Sequence, residues 1–182
     1  MADVHETLVN FNTDPNRPKE EFIDAIEGAL VAADYNVVER DDSRPWGAFL
    51  RLDNNDADRF VAEFFPGTDP VEARLGNIKL ELSPKILVTQ PGQQLSWQYH
   101  DRRAERWAFL NGGAYYKSKN DVPGDRIEVD PGQVVQFEQG ERHRLVGALG
   151  HYTLVAEIWQ HTDSEHPSDE DDIIRLQDDY RR

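Results

Sequence analysis

A mainly β sandwich or barrel is the fold class predicted by this chain of 182 residues. The first observation is a text of short runs rich in Val, Ile, Tyr, Phe and Trp between Asn77 and Gln160. The second is the punctuation of that text: Ser83-Pro84, Pro91-Gly92, Asn111-Gly112-Gly113, Pro123-Gly124, Pro131-Gly132, Gln139-Gly140 and Gly147 to Gly150. Strands this short and this densely turned can bury apolar residues only by stacking or closing their sheets. Helical spacing is confined to the residues ahead of this stretch, and no internal repeat stands out.

In chain order, residues 1–17 are polar with a few apolar side chains and are expected to form an extended or poorly ordered arm. Pro18 suits the first position of a helix, and Lys19-Glu20-Glu21 completes an acidic first turn. Phe22, Ile23, Ile26, Ala29, Leu30 and Ala33 then recur at helical spacing through Asp34. That helix should pack on the outside of a sheet or on a second subunit, so a homodimer is compatible with it. Asp41 to Gly47 is a turn cluster leading into a strand, Ala48 to Leu52. Asp56 to Phe65 carries Phe60, Val61, Phe64 and Phe65 at helical spacing until Pro66-Gly67 ends it. This piece, through Glu72-Ala73-Arg74, is expected to cover one mouth of the barrel. After His161 the tail is polar, and Ser168-Asp-Glu-Asp-Asp is expected to cap a short helix over Ile173-Ile174. One structural domain results, with an arm and helix over residues 1–40 and a barrel and tail over 41–182.

The chemistry gathers in Gly92 to Gly112. Gln98 and His100 lie two apart in a run with Leu95, Trp97 and Tyr99 that reads as strand, so their side chains share a face and Tyr99 takes the other. Asp101 to Ala104 is a charged tetrapeptide suited to a bend or loop, and Glu105 follows it. Glu105 has the parity of Trp107 and Phe109, an apolar face on which a lone carboxylate needs a cationic partner. A second stretch answers the first: Gly132, a strand, a turn at Gln139-Gly140, then His143. Two histidines, a carboxylate and an amide form a set that zinc, iron, nickel or manganese accepts.

The spacing of these residues resembles the two cupin motifs. The first is Gly92, five residues, Gln98-x-His100, four residues, Glu105, six residues, Gly112; the second runs from Gly132 to His143. Gln98 stands where many cupins have a first histidine, and Glu138 where many have proline. Glutamine in that place is what the phosphomannose isomerases use. Arg44-Pro45-Trp46-Gly47, Leu95 to His100, Arg103-Ala104-Glu105, His143-Arg144-Leu145 and the tail from Glu170 are similar to the type II phosphomannose isomerase domain, over roughly residues 40 to 182. The resemblance implies a single cupin double-stranded β-helix (jelly-roll) barrel, to which this chain adds the N-terminal helix and a short helical insertion relative to that domain, Asp56 to Arg74.

It also implies a metal-dependent aldose–ketose isomerase interconverting mannose 6-phosphate and fructose 6-phosphate through a cis-enediolate. One divalent ion, zinc first and nickel, iron or manganese as alternatives, would be held by Gln98, His100, Glu105 and His143. Arg103, Lys85 and Arg175 are the candidates for the sugar's phosphate, since guanidinium forks and ammonium charges match its oxygens. Lys85 and Glu157 are the candidate acid–base groups. Asp101, Arg102 and Arg106 replace histidines that the family often carries, which changes the mouth of the site. Two other readings compete: an iron-dependent oxygenase built on His100, Glu105 and His143, and a non-catalytic sugar-binding cupin.

The net charge of −15, from 35 acidic against 20 basic residues, argues against binding nucleic acid or membranes, whose phosphates it would repel. Only 5 of the basic residues are lysine, a balance compatible with a salt-loving source. There is no cysteine to form a disulfide or thiolate site. No apolar run approaches the ~18 residues of a membrane span, and the N-terminus lacks the pattern of a signal peptide. A cytoplasmic protein acting on a small molecule is the expectation.

Overall fold

A computed structural model of the chain describes residues 3–180. Its frame is two antiparallel sheets. Strands β1 (Val37–Asp41), β2 (Gly47–Leu52), β3 (Lys85–Thr89), β10 (Thr153–His161), β5 (Arg103–Phe109) and β8 (Val134–Phe137) form a six-stranded sheet in that order. Strands β11 (Ile174–Gln177), β4 (Trp97–Tyr99), β9 (Arg142–Val146), β6 (Gly113–Ser118) and β7 (Ile127–Val129) form a five-stranded one. This is a jelly-roll barrel, as predicted.

Alternation along the central strands sorts two cores. On β10, Leu154, Ala156 and Ile158 join the outer core while Val155 joins the inner one, with Glu157 sharing the inward parity. On β3, Ile86 and Val88 face out and Leu87 faces in. On β5, Ala108 is outer, whereas Trp107 and Phe109 are inner. The inner core also takes Phe137 and Leu145, so it fills the half of the barrel beyond the polar residues.

The outer core is covered by helices. α2 (Lys19–Ala32) starts after Pro18 and buries Phe22, Ile23, Ile26 and Leu30 completely. The Phe22 ring stacks on Tyr152 at 4.0 Å. α3 (Ala57–Phe64) adds Phe60, Val61 and Phe64, and the short α4 (Pro70–Ala73) follows it. The helical insertion therefore lies on the outer face of the six-stranded sheet and not over a barrel mouth, because its aromatic stripe matches the apolar outer positions of β2, β3 and β10. The N-terminal segment also departs from the expected extended arm. Val4–Val9 is a helix, α1, capped by the Asp3 carboxylate accepting from the Glu6 N–H, with Val4 and Leu8 buried. Two apolar residues four apart suffice once the outer core is there to receive them.

Two further expectations change. The bend after His100 is shorter than the tetrapeptide, since β5 begins at Arg103. The tail forms no helix over Ile173-Ile174; Ile174–Gln177 is strand β11, paired with β4 through Ile174 opposite Tyr99 and Arg175 opposite Gln98. The unpaired edge of β4 outcompetes a helix there. Gly47 is required by close approach, because a Cβ at that position would lie 1.8 Å from the Val88 carbonyl oxygen. Among the described residues no helix is long and apolar enough to cross a membrane.

Candidate metal centre

Inward parity on three strands brings the predicted ligands together. Gln98 on β4 lies opposite His143 on β9, and His100 follows β4 at the start of the bend. Glu105 reaches across from β5 in the facing sheet. His100 Nε2 is 3.0 Å from Glu105 Oε1, and His143 Nε2 is 3.2 Å from Glu105 Oε2. All three side chains are buried. Among the described residues they are the one group of histidine and acidic side chains with ligand atoms close enough to hold a metal, within 4.8 Å of one another.

Hydrogen bonding decides which ring nitrogens are bare. His100 Nδ1 lies 2.6 Å from the Asp172 carbonyl oxygen, and His143 Nδ1 lies 2.9 Å from that of Glu141. A carbonyl only accepts, so each Nδ1 carries the hydrogen and donates it. In neutral imidazoles both Nε2 atoms then turn lone pairs toward the Glu105 carboxylate, that of His100 also lying 3.5 Å from the Arg103 Nη2 donor. Burial holds His100 below its ordinary pKa against the pull of Glu105. Burial alone would raise a carboxyl, but positive charge beside it, a protonated His100 first and then the Arg103 guanidinium, outweighs burial and holds Glu105 well below the usual carboxylate range; with His100 neutral, a bound cation would take that place. Glu105 Oε2 and His143 Nε2 are fully buried with no aligned hydrogen-bond partner, despite their 3.2 Å separation. Lone pairs converging without a proton between them are the donor set of a divalent cation, so these residues fit one. His143 is held by the Phe137 ring stacked at 4.5 Å and the Trp107 ring edge-on at 5.3 Å.

The other predicted residues occupy distinct places. Gln98 lines the adjoining cavity; its Oε1 accepts from the Ser96 hydroxyl at 2.6 Å and keeps a second lone pair. Arg103 is 4 % exposed, and its donors are engaged within the protein. Nε donates to Glu105 at 2.9 Å, and Nη1 to the Ser168 hydroxyl at 2.9 Å and the Asp169 carbonyl at 3.0 Å. Arg103 thus clamps Glu105 to the tail while also lining the cavity. Lys85 Nζ stands 3.0 Å from Glu170 and 3.7 Å from Glu157, above the Trp159 ring. Glu157 Oε2 accepts from the Trp107 indole N–H at 3.0 Å. Burial first, then the charge of Glu105, pushes the Glu157 carboxyl up to about 7. Arg175 sits exposed on β11 at the cavity wall.

The cavity measures about 220 Å³ and borders Glu105, Gln98, Arg103, Lys85, Glu157 and Arg175. It also exposes residues that sequence reasoning did not assign to a site. Arg44 lines it, signalled only by the Arg-Pro-Trp-Gly run, and Glu170 closes over Lys85 from the tail.

No family model matches the chain, and no curated protein matches it. Solved structures do. A DMSP lyase chain aligns with a TM-score of 0.50 and 17 % identity, over 97 % of this chain and 79 % of that one. An oxalate decarboxylase variant from Bacillus subtilis aligns with a TM-score of 0.50 and 15 % identity, over 73 % and 29 %. The capsular polysaccharide assembling protein CapF from Staphylococcus aureus gives a TM-score of 0.48 and 13 % identity, over 79 % and 31 %. This chain thus spans about a third of the length of CapF. At such identities the likeness is one of fold: a cupin-type jelly roll.

Proposed function

We propose that this cupin-fold chain is a metal-dependent aldose–ketose isomerase of a small sugar phosphate. The observation that carries the reading is Glu157, a buried carboxyl pushed up to about 7 in the metal-free chain, in the wall of the cavity that also borders Glu105. A base for abstracting a carbon-bound proton works best when its pKa lies near the working pH. A cavity of about 220 Å³ is smaller than the ~300–1,000 Å³ typical of sites for drug-sized ligands, and suits a single small metabolite.

His100, Glu105 and His143, with Gln98 beside them, would hold the divalent ion. When bound, that ion would supply Lewis acidity to the substrate's C1 and C2 oxygens. Glu157 would take the C2 proton and return it to C1, while a second proton passes from O2 to O1, so that the carbonyl moves from C1 to C2. The Trp107 N–H and the Lys85 ammonium keep the carboxylate aimed into the cavity and offset its charge. Arg175 and Arg44, which line the same cavity, would anchor the phosphate, while Lys85 stays paired with Glu157 and Glu170. Anchoring remote from the reacting carbons holds the sugar in register.

Incubating the metal-loaded protein with aldose phosphates in deuterium oxide and following the sugar by NMR tests this. Deuterium entering at C2 or C1 with ketose formation is the expected result, and Glu157→Gln should slow it by about 10²–10⁴-fold. Binding without exchange or ketose would leave a sugar-binding module. The oxygenase reading draws on the cluster itself: His100, Glu105 and His143 make up the two-histidine, one-carboxylate set that iron(II) uses. Oxygen uptake by the iron-loaded protein, with no C2 exchange, would favour it.

A further inference from the structure

We infer that Asp172 is the positioning residue of the metal centre. Its main-chain oxygen fixes the tautomer of His100 while its carboxylate pins the bend that carries His100. This rests on the metal-centre reading of His100, Glu105 and His143. The side chain of Asp172 is 3 % exposed. Its carboxylate accepts the N–H of Asp101 at 2.9 Å, the N–H of Arg102 at 3.0 Å and the Ser168 hydroxyl at 2.7 Å. Both main-chain donors belong to the two residues directly after His100. The main-chain oxygen of the same aspartate takes the His100 Nδ1–H at 2.6 Å. One residue of the tail thus grips the ligand and its bend at once.

The register delivers it. β11 pairs with β4 through Ile174 opposite Tyr99, and the antiparallel ladder continued by two residues sets Asp172 opposite Asp101. A second chain of contacts runs from the same turn to Glu105. Arg103 donates to the Ser168 hydroxyl, that hydroxyl donates to Asp172, and Arg103 also donates to Glu105. Two of the three ligands are therefore oriented by tail residues some 65 positions along the chain from Arg103. A partner that fixes the non-ligating nitrogen of a metal-binding histidine typically changes metal affinity by about 10–100-fold when lost.

The test uses the full chain with Asp172→Asn and Asp172→Ala. An asparagine keeps the size but offers one acceptor oxygen in place of two, so an N–H of the bend loses its partner. Cobalt(II) titration should show about 10–100-fold weaker binding in both variants. In the metal-free state, nitrogen-15 spectra of the histidine rings should show His100 as the Nδ1–H tautomer in the wild type. The Nε2–H form should become populated in the variants. Ser168→Ala, which leaves both main-chain bonds, should lose less. If Asp172→Ala does not fold, Asp172→Asn, checked by near-ultraviolet circular dichroism, decides. Wild-type cobalt affinity together with an unchanged His100 tautomer in folded Asp172→Asn would overturn the inference. A wild type that binds no cobalt would fail the metal reading separately, while the tautomer comparison would still decide the role of Asp172.

Discussion

Glu157 is a carboxylate that the fold makes expensive to ionise, and this has a consequence that can be measured without any substrate. Its native pKa, about 7, lies above the ordinary value of 4.5, so the native state holds its proton more tightly than the unfolded chain. The stability this contributes is present below the ordinary value and is lost as pH rises through about 7. Glu157→Gln should therefore be more stable than the metal-free wild type at pH 8, with the gap closing toward pH 4.5; denaturant melts at the two pH values check it. Arg103 carries the second residue-scale prediction. Because it clamps Glu105 and the tail, Arg103→Ala should weaken metal binding and reduce affinity for sugar and sugar phosphate alike. A loss confined to the phosphorylated sugar, seen by calorimetry, would assign Arg103 to the phosphate instead. The inward parity of Gln98, His100 and Glu105 was legible in the sequence because a strand's side chains alternate with a fixed period. The engagement of Arg103 was not, because its partners Ser168 and Asp169 lie in a tail with no periodic signal of its own.

Elements divide the work cleanly between the two faces of the six-stranded sheet. α2 and α3 pack on the outer side, and Glu105 projects from the inner side toward the ligands carried by the facing sheet, so the outer core can be damaged without touching the site. Ile26 is fully buried on α2, and Ile26→Ala should cost about 2–5 kcal/mol in unfolding free energy. Its metal affinity, measured well below the melting temperature, should equal that of the wild type. The long helix and the central strands were readable because their patterns are long and their periods clear. α1 and β11 were not, since each is short and owes its form to a surface supplied elsewhere: the outer core for Val4 and Leu8, the edge of β4 for Ile174. The insertion was recognised as a helix but misplaced, because periodicity reports an apolar face and not which sheet surface receives it.

Across the whole molecule, a net charge of −15 repels itself in the compact state. Potassium chloride at molar concentration shortens the screening length to about 3 Å, so the melting temperature should rise between low and molar salt; a flat or falling value would remove the salt-loving interpretation and leave the fold untouched. The central claim is that two stretches almost forty residues apart, ending in Glu105 and His143, converge in one barrel to hold one divalent ion. Elemental analysis after incubation with zinc, nickel, manganese or iron and removal of free metal measures this directly. One equivalent bound per wild-type chain is predicted, with loss of it in folded His143→Ala and weakened retention in Glu105→Gln, which keeps the size of the side chain and removes its charge. Wild-type protein that retains none of the four metals would contradict the account.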